Sequence, residues 1–87
     1  MQTPVPLPNP APTLPAGTKT LDITSERCRC YHYEGGKHYD IPYPVTAYIL
    51  PNGSHRVVDE EGRTHRPTPG WLAISWQSKP GLPAFIA

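Results

Sequence analysis

The chain has 87 residues, with eight lysines and arginines against seven aspartates and glutamates. That length admits one small domain, and so balanced a charge gives no push toward phosphate backbones. No run approaches the ~20 apolar residues that span a bilayer and no charged-then-apolar leader opens the chain, so no membrane partner and a cytoplasmic location are expected.

Prolines stand at 4, 6, 8, 10, 12 and 15. They remove backbone donors and fix φ, which forbids both helix and central strand. Residues 1–19 therefore read as a flexible, disordered Pro-rich tail, polyproline-II in part. Pro12-Thr-Leu-Pro15 has the PxxP form, but no arginine flanks it, so a tether is the plainer reading. Residues 20–87 are left for a small β domain. A chain this short buries only about 60% of its unfolded surface, so an oligomer, a metal or a partner would each help it.

The first folded stretch, CRCYHYEGGKHYD (28–40), carries two cysteines and two histidines. A two-residue turn at Gly35-Gly36 sets Glu34 opposite Lys37, His32 opposite Tyr39, Cys30 opposite Ile41 and Cys28 opposite Tyr43. In that register Cys28, Cys30 and His32 share one face, while Arg29, Tyr31, Tyr33, His38 and Asp40 share the other. Cysteines at i and i+2 on a strand stand about 6.5–7 Å apart and diverge, at the limit of disulfide geometry, so two free thiols are expected. Cys28, Cys30, His32 and His38 are the candidate metal ligands. Structural zinc needs four converging donors, and this register points His38 away, so no metal or other cofactor is expected. A nucleophilic cysteine needs an oriented base, which parallel same-face neighbours do not supply.

The best-specified hairpin is VTAYILPNGSHRVVD (45–59), where Asn52-Gly53 suits a type I′ turn. Leu50 then faces His55, Tyr48 faces Val57 and Thr46 faces Asp59, with Ile49 opposite Arg56 and Ala47 opposite Val58. Asp59-Glu-Glu-Gly62 reads as a type I turn with Gly62 left-handed, sending the chain back through Thr64 and His65. Prolines 67 and 69 interrupt pairing before a last strand, Trp71 to Trp76, whose Leu72, Ile74 and Trp76 form the core face. Phe85 and Ile86 are expected to tuck against the sheet. No segment repeats apolar residues at three- and four-residue spacing, so no helix of substance is expected. The fold class is all-β: a small antiparallel meander of about five short strands, curled toward an SH3-like half-barrel.

Two surfaces offer binding chemistry. The first is the tyrosine and arginine face of the opening hairpin, Arg29, Tyr31, Tyr33 and His38, because interfaces favour large aromatics and planar cations. The second groups Arg56, Arg63, His65 and Arg66, with Trp71 beside them. The expected function is a non-catalytic binding module that modulates or inhibits a protein partner by occupying its surface. Size, neutral charge and the Pro-rich leader fit the accessory proteins that phages and mobile elements encode. A nucleic-acid binder, with tyrosine and tryptophan stacking and Arg29, Arg56, Arg63 and Arg66 on phosphates, is the first alternative. A small structural zinc module is the second, and a homodimer through an unprotected strand edge is a further partner expectation.

Overall fold

The computed structural model describes residues 14–80. The polyproline reading of residues 1–13 and the docking of Phe85 and Ile86 lie outside the described residues. The all-β expectation holds: seven strands and no helix beyond a single 3-10 turn make up the described chain. They are β1 (Lys19–Asp22), β2 (Glu26–His32), β3 (His38–Pro42), β4 (Pro44–Ile49), β5 (His55–Asp59), β6 (Thr64–His65) and β7 (Ala73–Ser78). Lys19, assigned to the tail on sequence, is already paired with Ile49.

The strands form two antiparallel sheets, ordered β1-β4-β5-β6 and β3-β2-β7. The β4–β5 hairpin is central in its sheet, as its two-sided apolar pattern requires. Ile23, Tyr31, Ile41, Ala47 and Val57 are buried together, with Tyr33, Trp71 and Ile74 packed on them. Both sheets thus contribute to one core.

Both long hairpins are closed by three-residue loops, not two-residue ones, and each register is displaced by one residue. At Pro51-Asn52-Gly53 the closing bonds are Leu50 N–H to the Ser54 carbonyl at 2.8 Å and Gly53 N–H to the Leu50 carbonyl at 2.8 Å. Gly53 has φ +87° and Asn52 is not left-handed. The reason is Pro51: a two-residue turn would make it the closing strand position, where an N–H is needed that proline lacks. Proline instead takes the first central position of a type I turn, followed by a left-handed glycine. Ile49 accordingly faces His55, Tyr48 faces Arg56 and Ala47 faces Val57.

At the other hairpin Tyr33 N–H bonds the Lys37 carbonyl at 2.7 Å, leaving Glu34-Gly35-Gly36 as the loop with both glycines at positive φ. The observed pairs are Cys28 with Pro42, Arg29 with Ile41, Cys30 with Asp40, Tyr31 with Tyr39 and His32 with His38. A one-residue slip moves an entire strand face. This register sets Ile41 and Tyr39 beside Arg29 and Tyr31, so the large side chains share the core side.

Three expectations are corrected by this. Tyr31 is 0% exposed and Arg29 7% exposed, so neither belongs to an open binding face. His38 and Asp40 lie with the cysteines, not opposite them. Leu72, expected in the core, precedes β7 and is 71% exposed, and Trp76 is 43% exposed, its ring 5.8 Å from the Arg29 guanidinium carbon. Trp71 is half-buried and packs edge-on against Tyr31 at 5.0 Å, a lid on the core and not a free anchor. The turn at Gly62 matches its expectation, with φ +82° and its N–H on the Asp59 carbonyl at 3.0 Å.

The chain crosses between sheets at Pro42-Tyr43-Pro44. There Tyr43 is left-handed at φ +47°, alone in this among the described non-glycine residues. Its N–H donates to the Arg27 carbonyl at 2.7 Å and its carbonyl accepts from Glu60 at 3.0 Å. Those two bonds hold a conformation that costs a non-glycine residue roughly 1–2 kcal/mol.

Candidate functional site: two faces of one hairpin

The β2–β3 hairpin presents unlike chemistry on its two sides. On the core side, Arg29 forms a bidentate pair with Glu26, 2.9 Å for each bond, with both side chains buried. The Tyr31 hydroxyl is hydrogen-bonded to Nδ1 of His55 at 2.7 Å. Burial holds the His55 pKa below its usual value, with the nearby Arg29 charge adding to this, which favours the neutral ring. These groups are structural: every buried side-chain nitrogen and oxygen among the described residues has a partner.

Farther out on the same side, past the core, Tyr33, Lys37 and Tyr39 meet Arg66, Pro67 and Thr68 in a groove of about 300 Å³. The Tyr33 hydroxyl donates to the Thr68 carbonyl at 2.8 Å. The Tyr39 hydroxyl is hydrogen-bonded to Nδ1 of His65 at 2.7 Å, and Nε2–H of His65 donates to Asp59 at 2.8 Å. Asp59 is buried and also accepts from the Glu61 and Arg63 backbone N–H groups and from Arg63 Nε. Burial works against its charge, but the bonds from His65, Arg63 and Glu61 outweigh that and hold its carboxyl below the usual range. Both tyrosines are therefore fixed by their hydroxyls, while Lys37 and Arg66 are exposed with no ion-pair partner among the described residues.

The other side, facing away from the core, carries Cys28, Cys30 and His32 from β2, His38 and Asp40 from β3, and Ser75 and Gln77 from β7. They line a shallow groove of about 340 Å³ together with Trp76. His38 Nδ1 is 3.0 Å from Asp40 Oδ1, His32 Nε2 is 2.7 Å from Ser75 Oγ, and Cys30 Sγ is 4.0 Å from His32 Nδ1. Both cysteines are free thiols. Loss of solvation, with a hydrogen bond to the Asp40 carboxylate, pushes the Cys30 thiol up to about 11. Loss of solvation also raises that of Cys28. A nucleophilic cysteine needs the opposite shift.

The sequence-derived residues are thus divided. Arg29, Tyr31 and Trp71 are core or lid. Arg56 is half-buried with one guanidinium nitrogen on the His55 carbonyl at 2.8 Å, and Arg63 is paired with Asp59 and Glu61. Three of the four arginines offered as a phosphate track are therefore already engaged. Tyr33 and Arg66 do come together, in the first groove, His65 does not line it but holds the Tyr39 hydroxyl, and His38 belongs to the second. Sequence reasoning missed Lys37, Tyr39, Pro67 and Thr68, of which Tyr39 moves to this side once the hairpin is given its three-residue loop. No protein-family model, no curated protein and no solved structure matches the chain.

Proposed function

We propose that this protein is a non-catalytic, cytoplasmic binding module that modulates a partner protein by holding an extended segment of it in the Tyr33–Tyr39 groove. The observation that carries this is the anchoring of both tyrosines from behind, by the Thr68 carbonyl and by the His65–Asp59 pair. A groove fixed before binding loses little side-chain entropy on association. Two aromatic walls beside a proline, rimmed by Lys37 and Arg66, match the way aromatic-lined grooves take extended, proline-containing segments. The two unpaired cations favour a segment with acidic flanks. Two free thiols support a reducing compartment.

The test is a pull-down from lysate of the source organism, with and without nuclease, using the wild type, Tyr39→Ala and Arg66→Glu. Expected is a stoichiometric protein that survives nuclease and is lost with both variants. Recovery abolished by nuclease would move the assignment to nucleic acid, and recovery indifferent to both variants would remove the groove from it.

A further inference from the structure

The outward side of the same hairpin carries an inference independent of the groove. We infer that Cys30, His32, His38 and Asp40 form a mononuclear binding site for a divalent transition metal of the zinc class. One ligand atom each from Cys30, His38 and Asp40 already lies within 4.8 Å of the others. Donors around tetrahedral zinc sit ~2.0–2.3 Å from the ion, which places them about 3.5 Å from one another. Loading then closes the remaining gap by side-chain rotation on two paired strands. Cys30 and Asp40 face each other directly in the ladder, as do His32 and His38, so the four residues form two adjacent cross-strand pairs. This convergence is what a straight C-x-C strand cannot make alone.

His32 completes the set. Its Nε2 lies 2.7 Å from Ser75 Oγ and its Nδ1 4.0 Å from Cys30 Sγ, so donation of Nε2–H to the serine would leave the Nδ1 lone pair for the metal. An outer hydrogen bond fixing the tautomer of a ligating histidine is a general feature of metal sites. One thiolate, two imidazoles and one carboxylate suit zinc or cobalt, and not magnesium or calcium, which prefer all-oxygen shells. Cys28, two residues along, is not needed as a ligand. On loading, the Cys30 proton leaves to buffer as the sulfur–metal bond forms, and no electrons are exchanged. Joining β2 to β3 by metal also serves a chain whose core is small.

The test uses cobalt(II) as a spectroscopic probe, titrated into the full chain under anaerobic, reducing conditions. Expected are the intense visible bands of tetrahedral cobalt and a thiolate-to-cobalt charge-transfer band, saturating at one equivalent and erased by zinc. Cys30→Ser should abolish the charge-transfer band, and His38→Gln and Asp40→Asn should replace the tetrahedral bands by weak octahedral ones. Cys28→Ser should retain the full spectrum. Ser75→Ala should bind roughly tenfold more weakly, the effect of losing an outer-shell partner. Far-UV circular dichroism identifies variants that fold, and the exposed His38 and Asp40 variants keep the test decisive. A weak octahedral spectrum from the wild type would overturn the inference, as would a charge-transfer band that survives Cys30→Ser or disappears with Cys28→Ser.

Discussion

The inward and outward sides of the β2–β3 hairpin are built from alternate residues of the same two strands, yet they answer to different physics. Inward, Arg29, Tyr31 and Ile41 are buried, and the polar groups there are paired with one another: Arg29 with Glu26 and Tyr31, Tyr31 with His55. Outward, Cys30, His32, His38 and Asp40 are half-buried or exposed, with short contacts among themselves and solvent at hand. The first arrangement loses stability when any member is removed. The second is open to solvent and can exchange its partners, which is what lets this face take up an ion.

The largest effect should come from Tyr31. Replacing it by alanine removes a fully buried aromatic that also supports Trp71 and His55, a loss of about 3–5 kcal/mol. A domain this small holds little more stability than that, so Tyr31→Ala should be unfolded by circular dichroism. Tyr31→Phe should fold and lose roughly 1–2 kcal/mol, the cost of leaving buried His55 Nδ1 without its partner. If Tyr31→Ala denatures like the wild type, the inward side is not the core. Next in size is Arg29→Ala, which strands the Glu26 carboxylate in the interior at a cost of about 3 kcal/mol by chemical denaturation.

How much of this was legible in the sequence depended on backbone donors and register. The turn at Gly62 was readable because Asp59-Glu-Glu-Gly62 offers one solution. The slip at Pro51 was readable too, since a proline cannot close a two-residue hairpin. The Gly35-Gly36 slip carried no such mark, as two glycines fit loops of either length. What settles it is tertiary: only the three-residue loop brings Tyr31, Tyr39 and Ile41 to one side. From that single residue of displacement came both errors about the site, the exposed Tyr31 and Arg29 and the dismissal of His38 as a companion to the cysteines.

The inward side should also respond to acid. Burial, with Arg29 nearby, depresses the folded-state pKa of His55 below its unfolded value near 6.5. The unfolded chain therefore binds a proton that the folded chain refuses, so His55 contributes stability at neutral pH that is lost as pH falls below about 6.5 toward its lowered folded value. Denaturation midpoints between pH 7.5 and 5 should decline, and His55→Gln, starting less stable, should show a shallower decline. Equal slopes would mean that His55 titrates alike in the folded and unfolded chain.

The smallest stability effects should lie on the outward side, and there the comparison is tested most finely. Cys28→Ser and Ser75→Ala each remove a group that solvent can replace, so each should change unfolding free energy by less than about 0.5 kcal/mol in the metal-free protein. Tyr39→Ala, on the groove, belongs near them, because its hydroxyl leaves His65 still bonded to Asp59 and its ring is exposed. If these substitutions instead cost 2 kcal/mol or more, the outward residues are part of the fold's support and the contrast between the sides collapses. If they cost little, yet Ser75→Ala weakens metal retention and Tyr39→Ala loses the partner, binding uses the outward residues of the hairpin together with the exposed outer end of its inward side. Stability alone cannot separate a binding face from an indifferent surface, so the ligand measurements must be made on the same variants.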